Sequence, residues 1–288
     1  MSDFLDDMAR ASAARVAQAL RYESIAVLER RARAMPESPP LRLSTAGFDV
    51  IAELKLRSPA AGVLGGENQD WLGRVAAYAR GGAAAVSVLT EPTRFDGSLE
   101  HLRQAAAVLK PLGVPAMRKD FLVDPYQVLE ARAAGAGGVL VILRMLSQVQ
   151  IAGLLDVAAE HGLFVLLEAF DEIDLQAARD VMAARAAPGQ RTSRARPLAG
   201  HAEQVLIGIN CRDLQTLKVV PERFAALAPL LPTGRPAVAE SGVASAADAR
   251  KMQGLGYGLA LIGTALMAGD DPSQLLGEIF RATRTVQP

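Results

Sequence analysis

Short runs that are apolar at nearly every position recur at 49–55, 84–90, 114–119, 138–143, 163–168, 205–210, 236–240 and 259–263, separated by stretches rich in Ala, Leu, Arg and Glu. Runs this short and this uniformly apolar suit strands covered on both faces, and strand–helix alternation implies parallel pairing through right-handed crossovers. Eight such units predict a closed (β/α)8 barrel, an α/β fold; a doubly wound open sheet is the competing arrangement that periodicity alone leaves open. Residues 3 to about 34 have helical composition and stop near Pro36, Pro39 and Pro40, which predicts an N-terminal helical extension over 1–45 and a barrel over 46–288. One unit is irregular. Between a helix-like stretch from Asp171 to about Ala187 and the run starting at Val205, residues 188–204 carry Pro188, Pro197, Arg191, Arg194 and Arg196 with no apolar period, which predicts an inserted, solvated surface loop.

Composition narrows the picture without redirecting it. With 288 residues, half of them hydrophobic, the chain can bury a large core as a single domain. Lys plus Arg and Asp plus Glu are 31 each, so no overall field points to nucleic acid or an anionic membrane, and any anion site must be local. The N-terminal residues are acidic where a signal peptide is basic, and no apolar stretch of about 18 residues runs uninterrupted, so a cytoplasmic location is expected. The lone Cys211 excludes an internal disulfide, and it reads as buried packing. His101, His161 and His201 fall in helix or loop segments, where ordinary surface roles are expected. So few soft ligands disfavour a zinc or iron site, and a carboxylate-bound magnesium stays open.

In barrels of this kind the active site is assembled at the C-terminal ends of the strands. Those ends carry Glu53 and Lys55, which alternate with Ala52 and Leu54 and so share a face; then Thr90 and Glu91; Arg118, Lys119 and Asp120; Arg144; Glu168; Asn210, Arg212 and Asp213; Glu240 and Ser241; Gly263 and Thr264. Two lysines with several carboxylates suit proton transfer at a carbonyl or amine. Mutual repulsion and burial predict a depressed pKa for at least one lysine, with Glu53, Glu168 and Glu240 opposing it. A buried Lys–Glu network that merely closes the barrel mouth is the alternative, disfavoured because so many buried charges are costly.

The last two strands carry a second signal. Glu240-Ser241-Gly242 and Ile262-Gly263-Thr264 each place a glycine and a hydroxyl where a helix is expected to begin, and free backbone N–H groups there form a phosphate cradle. Barrels commonly hold phosphate after their last two strands.

Taken together, Ile51-Ala-Glu53-Leu-Lys55 with Ser58-Pro59, Ser87-Val-Leu-Thr90-Glu91 with Phe95-Asp-Gly97-Ser98, Arg118-Lys119-Asp120-Phe121, Glu168, Gly208-Ile-Asn210-Cys-Arg212-Asp213, Glu240-Ser241-Gly242 and Ile262-Gly263-Thr264 resemble the indole-3-glycerol phosphate synthases of tryptophan biosynthesis. The resemblance runs through nearly the whole chain. It implies a (β/α)8 barrel with an N-terminal helical extension and a lyase that converts 1-(2-carboxyphenylamino)-1-deoxyribulose 5-phosphate to indole-3-glycerol phosphate by ring closure, decarboxylation and dehydration. It further implies Lys119 as general acid for ring closure, and Lys55 as a cation near the substrate carboxylate or as acid for dehydration. Glu168 is implied as general acid/base, Glu53 as orienting the lysines, Asn210 as positioning the substrate, and Glu240 and Ser241 as lining the mouth. Arg212 is implied to pair with the carboxylate or order its loop, and Ser58, Gly242, Gly263 and Thr264 to hold the phosphate. The implied partner is a small phosphosugar, with no cofactor and no metal, and the chain is expected as a monomer or weak dimer.

Leu56, Ala60, Ala61, Arg144, Phe170 and Cys211 depart from the family pattern, and the segment between Glu168 and Asn210 is longer than usual. Two alternatives stay open: a paralogue acting on a related arylamino-ribulose phosphate, and a phosphosugar-binding or scaffold protein of low turnover.

Overall fold

Alternation along the apolar runs sorts their side chains into two buried layers. The computed structural model describes residues 3–45, 47–58, 62–63, 70–186, 204–214, 216–269 and 271–284. Eight strands, β1 (Asp49–Leu54), β2 (Ala85–Leu89), β3 (Ala116–Lys119), β4 (Gly138–Ile142), β5 (Phe164–Ala169), β6 (Val205–Asn210), β7 (Ala237–Glu240) and β8 (Leu259–Ile262), pair in parallel in chain order, and β8 closes on β1 as a barrel. One parity, including Ile51, Met117, Leu140, Leu166, Leu206, Val238 and Leu259, packs in the barrel interior. The other, including Val50, Val86, Val139, Leu167, Ile207 and Ala239, packs beneath the surrounding helices. Glu53, Lys119, Glu168, Asn210 and Glu240 share the inward parity, so the barrel gathers them at one end.

The extension comprises two helices, Asp3–Tyr22 and Ile25–Ala34, where the composition predicted one continuous segment. The break falls at Ser24, whose extended backbone (φ −69°, ψ 153°) turns the chain. Leu28 and Ala32 of the second helix then bury against Tyr126, Leu129 and Ala133 of the helix Pro125–Ala133, and the Tyr126 hydroxyl donates to the Glu23 carbonyl at 3.0 Å. Tyr126 is therefore core. That helix starts from a capping box in which Asp124 and Gln127 satisfy each other's backbone N–H groups.

His161 is not at the surface as expected. It is 5% exposed, with Nε2 lying 4.0 Å from Glu29 Oε1, and burial lowers its pKa to about 4. Residues 188–203 of the expected inserted loop, like Ala60, Ala61 and His201, lie outside the described residues.

Candidate active site

A cavity of about 570 Å³ opens at the C-terminal ends of the strands, and eleven of the twelve residues to which the family resemblance gives a role line it: Glu53, Lys55, Lys119, Glu168, Asn210, Arg212, Glu240, Ser241, Gly242, Gly263 and Thr264. The twelfth, Ser58, ends a short hairpin strand, and its side chain lies outside the described residues.

Lys119 stands at the tip of β3 with its side chain 15% exposed, and Nζ reaches Glu168 Oε2 at 3.2 Å and Glu240 Oε2 at 3.4 Å. Glu168 is braced from behind, because Asn210 Nδ2 donates to its other oxygen at 3.0 Å and Asn210 Oδ1 accepts from the Arg212 backbone N–H at 2.9 Å. On the neighbouring wall Lys55 Nζ lies 3.1 Å from Glu53 Oε1. Among the described residues Glu53 thus pairs with Lys55, and Lys119 and Arg212 act on it through space.

At Lys119 these pairings reverse the expectation of a depressed lysine. Burial alone would lower the Lys119 pKa, but Glu168, Glu240 and Glu53 outweigh it and raise it well above the ordinary lysine value. Lys119 is therefore charged throughout the neutral pH range. Burial pushes the Glu53 carboxyl up, and Lys55 and Lys119 more than offset this, leaving it below the usual range. Glu240 goes the other way. It is 1% exposed and crowded by Glu168, and Lys119 compensates only in part, so its pKa rises to about 8.

Ser241 and Gly242 follow β7 with φ of 61° and 150°, a left-handed turn that a serine adopts at a cost and that turns the chain around the cavity rim. The next helix starts only at Ala246, capped by Ser245, so Gly242 precedes the helix end by a short loop. Gly263 is itself the N-cap of the single-turn helix Thr264–Ala268. The Arg212 guanidinium donates to the Leu217 carbonyl at 2.7 Å, which orders its own loop.

The strand-tip reading did not anticipate the apolar half of the cavity, formed by Phe4, Leu5, Phe95, Phe121, Leu140 and Ile142 with Leu214 and Leu261. Phe121 stands edge-on to Phe4, with centroids 5.9 Å apart, and lies 6.2 Å from Phe95. Inward parity marks Leu140, Ile142 and Leu261 in retrospect. Phe4 and Leu5 come from the first helix, and no local signal ties them to the barrel mouth. Thr90 and Glu91 stay out of the lining: Thr90 donates to Asp120 at 2.7 Å, and Glu91 caps the short helix Pro92–Phe95. Cys211 is fully buried with a thiol pushed up to about 12 by burial, which suits packing and not attack. Among the described residues one group, Glu29, Glu160 and His161, could hold a metal ion; it does not line the cavity, and Arg33 pairs with both of its carboxylates.

A closed barrel whose strand tips gather a charged lysine, a carboxylate pair and an apolar pocket beside the turns at Gly242 and Gly263 has the architecture of a (β/α)8-barrel enzyme. The family model described as indole-3-glycerol phosphate synthase matches residues 5–185 and 195–279, and the chain belongs to that family. Relatives of that name include one from Parafrankia sp., 39% identical over 264 residues (91% of this chain, 89% of the relative). Another, from Mycobacterium tuberculosis, is 37% identical over 268 residues (92% and 89%). Solved structures with the same fold include 3-hexulose-6-phosphate synthase from Salmonella typhimurium, with a TM-score of 0.58 at 11% identity, covering 82% of this chain and 98% of that one. Orotidine 5'-phosphate decarboxylase from Pyrococcus horikoshii aligns with a TM-score of 0.55 at 12% identity, covering 81% and 98%.

Proposed function

We propose that this chain is an indole-3-glycerol phosphate synthase, a carboxy-lyase acting on 1-(2-carboxyphenylamino)-1-deoxyribulose 5-phosphate. The observation that carries the reading is Lys119, held charged between Glu168 and Glu240 at the floor of a cavity whose other half is apolar.

The arylamine ring lies against Phe95 and Phe121, and the phosphate sits on the backbone N–H groups around Gly242, Gly263 and Thr264. In ring closure the ring carbon bearing the carboxylate bonds to the ribulose carbonyl carbon, and Lys119 gives its proton to the carbonyl oxygen. The same ring carbon then releases carbon dioxide, and the bonding electrons restore the aromatic ring. Lys55 protonates the departing hydroxyl in the final step while Glu168, oriented by Asn210, takes a proton from the adjacent carbon. Water leaves and the indole double bond forms. Lys55 and Arg212 also offer positive charge to the substrate carboxylate before it is lost. Every electron pair needed comes from the substrate, so the reading calls for no cofactor and no metal.

The first helix supplies Phe4 and Leu5 to the cavity, which supports extension and barrel working as one domain. No helix among the described residues is long and apolar enough to cross a membrane, and charges balance at 31 each; the reading is of a cytoplasmic enzyme without nucleic-acid or membrane partners. Mixing purified protein with the carboxyphenylamino substrate should produce indole fluorescence. Tight binding without product would overturn the enzyme assignment, and turnover confined to a substituted amine would favour a paralogue.

A further inference from the structure

Gly208 stands mid-strand in β6 on the inward parity, between Leu206 and Asn210. It is not among the glycines with positive φ, so the backbone there accepts any residue. A glycine inside a strand weakens it, by about 0.5–1 kcal/mol relative to alanine, and often marks the close approach of another group. That group is Glu240. A Cβ built on Gly208 would lie 2.1 Å from Glu240 Oε1 and 3.1 Å from Leu166 Cδ1. The carboxyl is folded into the space a side chain would fill, with Oε1 buried and without a hydrogen-bond partner, while Oε2 faces Lys119 at 3.4 Å.

We propose that Gly208 is a positioning residue for the reaction: its bare Cα forms the berth that holds the Glu240 carboxyl against Leu166 and beside Lys119. The proposal rests on the placement of Glu240 in the catalytic machinery. Two consequences follow from the berth. It withholds any polar partner from Oε1, so Glu240 keeps its proton at neutral pH, in line with the raised carboxyl. It also fixes Oε2 where that proton can replace the one Lys119 gives to substrate. A methyl group at 208 expels the carboxyl toward the open mouth, where water lowers its proton affinity and the distance to Lys119 grows.

The test is Gly208→Ala in the full chain, read with Glu240→Ala and the double variant. Gly208→Ala should lower kcat by about 10- to 100-fold, as a displacement of about 1 Å does, with KM changed by less than about threefold. The alkaline limb of its kcat/KM profile should move to lower pH, and the infrared band of a protonated carboxyl at pH 7, absent in Glu240→Gln, should weaken. In the Glu240→Ala background the same substitution should cost little further, less than about threefold in kcat, because only Leu166 Cδ1, at 3.1 Å, still has to give way. A kcat within about twofold of the parent with an unmoved limb, or an equal loss in both backgrounds, overturns the proposal. If Gly208→Ala does not fold, the double variant must fold as Glu240→Ala does; failure of both places the strain elsewhere and also overturns it. Near-normal turnover of Glu240→Ala alone would instead sink the catalytic placement of Glu240.

Discussion

Arg15, on the helix that precedes the barrel, closes both of its terminal nitrogens on Asp120, the residue after Lys119, at 3.0 and 2.7 Å. Asp120 has no exposed side-chain surface and also accepts from Arg118 Nη2 at 3.0 Å, Thr90 Oγ1 at 2.7 Å and its neighbour's backbone N–H at 2.8 Å. Burial would raise its pKa, but Arg118 and Arg15 hold it far below the usual carboxylate range. The same helix carries Phe4 and Leu5 into the cavity, and Gln127 donates to its Ser12 hydroxyl at 2.8 Å. One anion thus ties the extension to the strand that presents Lys119.

Arg15→Ala should therefore act on both stability and binding. Hydrogen bonds to a charged group contribute about 1.5–3 kcal/mol, and Arg118 still covers Asp120, so a loss of about 1–2 kcal/mol is expected in urea unfolding. KM should rise severalfold as Phe4 and Leu5 lose their fixed place, with kcat less affected. A variant with parental KM and parental stability would show that the extension docks without this pair.

Lys119→Ala should lower turnover by about a hundredfold or more, the expected loss for a positioned general acid. Binding should change less, since Lys55, Arg212 and the glycine turns remain. Steady-state kinetics with product fluorescence separates the two, and near-normal kcat would refute the assigned role.

The pH dependence follows from Glu240. With its carboxyl raised from 4.5 to about 8, it is protonated at neutral pH, and Lys55 and Lys119 then face two carboxylates, with Arg212 adding positive charge for an anionic substrate. Deprotonation above about pH 8 removes that surplus and the stored proton, so kcat/KM of the free enzyme should fall there. Because the folded state binds a proton that the unfolded chain releases, stability should also decline as pH rises from about 4.5 through about 8. Glu240→Gln should flatten both the alkaline kinetic limb and this decline. An alkaline limb unchanged in Glu240→Gln would assign it to another group.

Much of this site is legible in strand parity. Once Glu53, Lys119, Glu168, Asn210 and Glu240 fall on inward positions of parallel strands, closure of the barrel is enough to bring them together. Parity does not say which charge pairs with which. At Lys119 the expected fall in pKa is reversed because Glu168 and Glu240 approach the same Nζ, a distance set by packing between β3, β5 and β7. The contribution of Phe4 and Leu5, and the helix break at Ser24, depend on long-range docking of the extension, for which the local sequence carries no Gly or Pro signal. His161 escaped for the same reason, since its cover is the second helix of that extension.

Arg144 and Phe170, two departures from the family pattern, meet in space. The Arg144 guanidinium lies 4.4 Å from the Phe170 ring centroid and pairs with Asp174 at 2.7 Å and with Asp171. Asp174, only 5% exposed in its side chain, also accepts the Phe170 backbone N–H at 2.8 Å, which fixes the chain two residues beyond Glu168. Burial already raises the Asp174 pKa despite Arg144 and the Phe170 N–H, so removing the cation should raise it further. Arg144→Ala should then cost about 1–3 kcal/mol at neutral pH, where a nearly buried carboxylate is left without its cation. The sign of the pH effect follows: once Asp174 is protonated there is no charge left to compensate, so the deficit should grow as pH rises through the carboxylate range and shrink in acid. Asp174→Asn in the Arg144→Ala background should recover part of the loss. A deficit of equal size at acidic and neutral pH would mean that lost stacking on Phe170, and not the ion pair, holds this corner of the barrel.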